Sequence, residues 1–243
     1  MKVVCMANSF PSDGSPGDFC VDLREVYYRV ASSGFELRIE QFQIPFREKV
    51  ALTGPSGTGK TTLLGLISGR ITPLEGRIGI AGQSLGEMSQ PERERFRLRH
   101  IGIVFQEFRL IDYLNVAENI ALKSRLPGSS FVQVQEQVEE IAERLRLTHL
   151  LRRHPRQLSQ GERQRAAIGR AIFGQPELIL ADEPTGNLDA NTAAQSLDFL
   201  FQAVESAGST LLLVTHDTSL LPRFDRHIEL HALLKPSDLP VSR

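Results

Sequence analysis

The sequence predicts an α/β fold, and three observations predict it. Short continuous apolar runs, Lys49 to Thr53 (KVALT), Leu178 to Ala181 (LILA) and Thr210 to Thr215 (TLLLVT), read as strands of a parallel sheet covered on both faces. A glycine-rich loop, Gly54 to Thr61 (GPSGTGKT), lies between the first of these strands and a run of helical spacing. A long stretch of helical pattern, Val116 to Leu151, separates the early strands from the late ones.

The elements follow in chain order. Residues 1–20 are expected to form a flexible leader rich in Ser, Pro, Gly and Asp, with Met6 as a second candidate start. Their apolar patch is too short for a secretory signal. Alternation over Cys20 to Val30 and Phe35 to Ile44 predicts two antiparallel strands. Thr61 to Ser68 is helical, with Gly69 as its stop. Arg77 to Ala81 reads as a strand, and Ala81-Gly82 as a turn. Pro91 to Arg99 is a helix with Pro in its first turn, and Ile101 to Phe105 (IGIVF) is a strand ending in Gln106. The middle helical stretch breaks at Leu126-Pro127-Gly128-Ser129, and Leu158 to Arg165 (LSQGERQR) opens an alanine-rich helix. His227 to Leu230 is the last expected strand, and residues 233–243 a loose tail. One domain over residues 21–232 results, with a core at about 21–105 and 172–232 and a helical subdomain at about 106–171.

Composition narrows the function classes. At 243 residues, 41% hydrophobic and 23% charged, the chain has the make-up of a soluble globular protein. A net charge of -1 gives no broad surface for a polyanion, so no nucleic-acid partner is expected. No apolar run approaches the roughly 20 residues that span a bilayer. Cys5 and Cys20 fit neither a disulfide framework nor a metal spacing, which points to a reducing compartment. Two basic clusters, Arg93 to His100 and Leu151 to Gln157, read as solvated helix faces with Arg/Glu pairs, or as contacts for anionic headgroups.

The chemistry-bearing residues gather around the glycine loop. Gly54, Pro55, Ser56, Gly57, Thr58, Gly59, Lys60, Thr61 and Thr62 form a loop whose backbone amides approach phosphate oxygens at a helix N-terminus. Lys60 reaches the β- and γ-phosphates, and the Thr61 hydroxyl ligates magnesium. Asp182 and Glu183 follow an apolar strand: one carboxylate to hold magnesium, the other to orient and deprotonate water. His216 and Gln106 end other strands, so both belong to the carboxyl edge of a parallel sheet, where such folds place their sites. Neither means much in isolation.

GPSGTGKT, Gln106, LSQGERQR, LILADEP, GNLD (Gly186 to Asp189) and His216 stand in the order seen in ATP-binding cassette (ABC) ATPase subunits, which the chain resembles from about Val21 to Leu230. They look like the Walker A loop, Q-loop, signature, Walker B strand with its catalytic glutamate, D-loop and switch histidine. ADEPTGNLD and HIGIVFQEFRLIDYLNVAENI resemble the group serving lipoprotein release, macrolide-type efflux and cell division.

The resemblance implies a P-loop NTPase (RecA-like) core with an antiparallel β subdomain and an inserted α-helical subdomain. It implies ATP and Mg2+ as cofactors, with Thr61, Gln106 and Asp182 toward the metal and Glu183, His216, Lys60 and Gln106 as catalytic groups. It also implies a second, most simply identical, ABC ATPase subunit. Leu158, Ser159, Gln160, Gly161, Glu162 and Asp189 of one subunit would contact the ATP of the other. An integral membrane permease on a separate chain would hold the dimer at the cytoplasmic face of the cell membrane. A regulatory ATPase that signals without transport would carry the same cassette. The chain departs from the family at the signature, usually LSGGQ, where Gln160 and Glu162 replace glycine and glutamine. Gln160 is expected to bring a side chain to a tight position. The family's adenine-stacking aromatic falls on Tyr28, with Tyr27 as the other candidate and a register nearer Val30.

Overall fold

The computed structural model describes residues 18–30, 34–125 and 130–233. Met6, Cys5, the Leu126–Ser129 break and nearly all of the expected leader and tail lie outside them. Two sheets organise the chain. One is antiparallel, in the order β2-β1-β4-β5, formed by β1 (Phe19–Arg29), β2 (Glu36–Pro45), β4 (Glu75–Ile80) and β5 (Gln83–Ser84). The other is parallel, in the order β6-β7-β8-β3-β9, formed by β6 (Ile101–Phe105), β7 (Leu178–Asp182), β8 (Thr210–Val214), β3 (Lys49–Thr53) and β9 (Arg226–Glu229). The first strand begins at Phe19, two residues before the expected domain start, because Phe19 and Cys20 are both buried. Cys20 is a free thiol, and burial pushes its pKa up to about 11, so it is inert packing.

Strand alternation explains why the parallel strands read as unbroken apolar runs. Leu178 and Leu180 of β7, with Val50, Leu52, Leu212 and Val214, pack toward the antiparallel sheet and helix α1 (Lys60–Ile67). Ile179 and Ala181, with Val104, Leu211 and Leu213, pack into a second apolar cluster on the other face. Neither face meets water, so neither face needs polar residues.

Helices α3 (Val116–Ile120), α4 (Phe131–Arg144), α5 (Gln160–Ile172) and α6 (Ala190–Ala207) supply that second cluster. Their ends carry local chemistry: Asn115 and Ser159 form capping boxes with Glu118 and Glu162, and α6 runs from an Asp189 N-cap to Gly208 at φ 64°. Helix α5 spans the boundary expected near residue 171. Ala166, Ile168, Ala171 and Ile172 share one apolar cluster with the sheet face and with α4. Gly102 of β6 makes this close approach possible, since a methyl there would fall 2.3 Å from the Ala171 carbonyl oxygen.

Helix α2 (Gln90–His100) corrects one expectation. Its arginines form no Arg/Glu ion pairs within the helix among the described residues. Arg93 donates to the Thr72 hydroxyl and the Met88 carbonyl, and Arg97 to the Ser68 carbonyl at the end of α1. These cations satisfy loop and helix-end carbonyls that solvent would otherwise have to reach.

Candidate active site

Parallel register assembles the site. Phe105 pairs with Asp182, and Asp182 with Val214, so the residues just beyond these strands lie side by side: Gln106, Glu183 and, one residue further on, His216. Strand β3, next to β8, leads into the glycine loop at the same edge. Four segments far apart in sequence therefore meet because their strands all end on one side.

In the loop, Gly54, Gly57 and Gly59 have φ of 152°, 80° and 99°, values that side chains resist, and Gly59 is the N-cap of α1. The Lys60 ammonium is folded back on its own loop, donating to the carbonyls of Gly54 (2.7 Å) and Pro55 (2.8 Å). The Thr58 hydroxyl donates to Pro55. Ser56, Gly57, Gly59, Lys60, Thr61 and Thr62 line an open cleft of about 550 Å³ together with Asp182, Glu183, Val30 and Phe35. A larger depression, about 650 Å³, runs along α2 and shares no residue with the loop.

The carboxylates differ in environment. Burial raises the Asp182 pKa, and the neighbouring Glu183 charge raises it further, against the pull of Lys60 and a hydrogen bond from Thr61. Glu183 sits at φ 43°, a left-handed position for a non-glycine residue, with its amide held by the Val214 carbonyl at 3.0 Å. Its Oε2 lies 3.2 Å from Nδ1 of His216. Among the described residues no three His, Cys, Asp or Glu side chains form a metal cluster. Thr61 and Asp182 offer hydroxyl and carboxylate oxygens of the kind that could hold a hard cation, and the crowded Asp182–Glu183 pair favours positive charge there.

Gln106 is held from two sides. Its carbonyl accepts from Asn187 Nδ2 at 3.1 Å, and its amide packs so closely on Gly186 that a methyl there would fall 2.7 Å from Nε2.

None of Leu158, Ser159, Gln160, Gly161 and Glu162 lines the cleft of its own chain. Leu158 is buried, and Ser159 caps α5 with its amide and hydroxyl both donating to Glu162 Oε2, at 2.7 and 2.9 Å. These bonds hold the Glu162 carboxyl below its ordinary pKa. Gln160 is exposed in the first turn of α5 with ordinary helical backbone, so the tight position expected for it is not found in the single chain. Tightness belongs to Gly161, where a methyl would lie 2.8 Å from Thr192 Cγ2 at the start of α6. Asp189 caps α6, accepting from Asn191 and Thr192 at 3.1 Å, so it stands beside the signature.

The aromatics lie elsewhere than the register suggested. Tyr28 is half-buried against the core cluster, Tyr27 lies under the Arg38 guanidinium, and neither lines the cleft. Phe35 does, with its ring so close to Gly59 that a methyl there would fall 2.6 Å away. The signal was present but needed pairing: the amide of Val30, at the expected register, donates a 2.8 Å hydrogen bond to the Phe35 carbonyl.

A groove of about 390 Å³ opens between α3, α4 and the segment after them, floored by Ala117, Ala121, Val134, Val138 and Leu151. Phe131 lines it while 81% exposed.

Comparison with known proteins agrees with this geometry. The ABC transporter family model matches residues 37–186. The ABC transporter ATP-binding protein YbbA of Escherichia coli K12 is 38% identical over 218 residues, covering 88% of this chain and 96% of the relative. The lipoprotein-releasing system ATP-binding protein LolD of Hydrogenovibrio crunogenus is 38% identical over 189 residues, covering 78% of this chain and 82% of the relative. Among solved structures, the dimeric ABC transporter cassette MJ0796 superposes with a TM-score of 0.74 at 31% identity, covering 86% of this chain and 93% of its own. Its post-hydrolysis dimer with ADP and Pi gives 0.75 at 30%, covering 92% and 97%. The chain belongs to the ABC transporter family and is an ATP-binding cassette of its ATPase type.

Proposed function

We propose that the chain hydrolyses ATP with magnesium as one half of a dimer and thereby drives a separate membrane permease in the export or extraction of substrate. The observation that carries this reading is a divided site. Glycine loop, Asp182 and Glu183 share one cleft with His216 in contact with Glu183, whereas the Ser159 end of α5 contributes nothing to the lining of that cleft. A helix N-terminus with free amides suits an anion, and a second copy supplies one when its triphosphate meets Ser159 and Gly161.

Lys60 then exchanges the Gly54 and Pro55 carbonyls for phosphate oxygens. Glu183 takes the proton from the attacking water, and His216 holds the carboxylate and the water in line through the contact at 3.2 Å. Thr61 and Asp182, with Gln106 toward its water shell, would hold a magnesium ion, which would supply neutralisation of phosphate charge. Phe35 stacks on the base. Relatives named for lipoprotein release support extraction from a membrane, and the dimeric cassette structures support a dimer. The chain has no helix long and apolar enough to cross a membrane among its described residues, and the groove edged by exposed Phe131 offers a permease segment an apolar seat at the cytoplasmic membrane face.

Glu183→Gln tests the reading. Turnover falls by about 100-fold or more while ATP binding persists and the dimer outlives the wild type on gel filtration with ATP. Undiminished steady-state hydrolysis overturns the base assignment, and wild-type turnover per subunit that stays flat on dilution below dimer dissociation overturns the divided site.

A further inference from the structure

Arg170 carries a role that none of the motifs assigns. It lies on α5, is 9% exposed, and has no carboxylate within ion-pair distance among the described residues. Burial alone lowers its pKa to about 10. A buried cation without a counter-ion persists only where its donors are met by good acceptors. Here the two terminal nitrogens of the guanidinium fork donate to two successive carbonyls, Nη1 to Arg109 and Nη2 to Phe108, the latter at 2.6 Å.

Those acceptors sit in unusual backbone. Phe108 and Arg109 have φ of 60° and 48°, consecutive left-handed residues without glycine. Such a pair is strained for residues that carry a Cβ and needs something to hold it. Within the turn, Phe108 donates to Phe105 and Arg109 to Glu107, and the Arg109 guanidinium lies over the Phe105 ring. From outside the turn, Arg170 holds both carbonyls. The turn begins at Gln106, whose other contacts are Gly186 and Asn187.

We propose that Arg170 is a positioning residue that clamps the Gln106 turn to α5, so that the placement of Gln106 over its own nucleotide depends on the placement of the signature at the other end of that helix. Helix α5 is the lever: Ser159 caps one end, and Arg170 lies eleven residues on, roughly 16 Å along a rigid rod. In the divided site the signature meets the partner's ATP while Gln106 attends its own. The Arg170 fork thereby connects the two nucleotides of the dimer through one side chain. This inference rests on the dimeric ATPase reading above.

The test compares wild type, Arg170→Ala, Arg170→Lys, Gln106→Ala and the Arg170→Ala/Gln106→Ala double variant of the full chain. Steady-state turnover is read with Mg-ATP, binding with a fluorescent ATP analogue, and amide exchange over residues 106–110. Arg170→Ala is expected to lower kcat about tenfold or more, with analogue affinity within about twofold. The double variant is expected to be no slower than Gln106→Ala alone, because both changes remove the same placement. Arg170→Lys keeps the charge but cannot fork, and is expected to fall between. Faster exchange at 106–110 without faster exchange in the glycine loop supports the clamp even if turnover reports nothing. Losses that multiply in the double variant, affinity that falls in step with kcat, or unchanged exchange at 106–110 overturn the proposal. If Arg170→Ala does not fold, Arg170→Lys and the exchange measurement decide. A wild type without any ATPase would sink the functional reading and leave the exchange test standing.

Discussion

Lys123 makes stability respond to alkaline pH in a direction opposite to habit. Its ammonium donates to the carbonyls of Ile101 and Ala171, both at 3.1 Å, joining the start of β6 to the end of α5. Desolvation, with the Arg170 charge second, lowers its pKa from 10.5 to about 8. The unfolded chain therefore binds the proton more tightly than the folded one. Below about pH 8 the lysine is charged in both states and its burial costs the fold in full. As pH rises from about 8 to 10.5 the folded lysine is already neutral, and that cost is progressively removed. At roughly 1.4 kcal/mol per pH unit the recovery is at most ~3 kcal/mol, and less where water reaches this half-buried residue. For a domain of this size that is up to about 10 °C in Tm. Cys20 works the other way, from 9.0 to about 11, so the single chain shows a mixture. The comparison with Lys123→Met isolates the lysine, because Cys20 is common to both. Urea unfolding of the two chains at pH 7.5, 9 and 10.5 is expected to show wild type gaining on the variant as pH rises. Stability curves that run parallel across that range refute the buried ammonium.

Other expectations are simpler to check. Phe35→Ala is expected to weaken ATP binding by about 5- to 100-fold, the worth of one base–aromatic stack, whereas Tyr28→Leu stays within about twofold; the reverse ranking in a nucleotide titration returns the adenine to Tyr28. Gly102→Ala places a methyl 2.3 Å from the Ala171 carbonyl and 2.6 Å from Ile179 Cδ1, which costs about 1–3 kcal/mol or more. Its Tm is expected to drop by several degrees, and an unchanged Tm means that α5 sits further from β6 than described.

The strand ends were legible because their signals are local. A continuous apolar run needs two covered faces, a glycine loop between strand and helix needs positive φ, and Ser159 with Glu162 three residues on needs no distant partner to cap α5. From the strand-end rule alone, Gln106, Asp182, Glu183 and His216 belong to one edge. The register of Phe105, Asp182 and Val214 turns that expectation into neighbouring positions. The arginines of α2 show the limit: their spacing suits solvated Glu pairs, and only the folded chain reveals the carbonyls they reach, Met88 before α2 and Ser68 at the end of α1.

By itself, then, the sequence determined the order of elements and the phosphate loop, since each rests on residues within a turn or two of one another. Tertiary structure alone decided which residues face each other across that order. Hairpin pairing moved the cleft's aromatic from Tyr28 to Phe35. Helix packing gave Gly161 a steric reason against Thr192 and left Gln160 in solvent. The reach of a guanidinium joined Arg170 to a turn sixty residues away. Contacts of that kind depend on summed strand register and helix placement, which no window of neighbouring residues encodes.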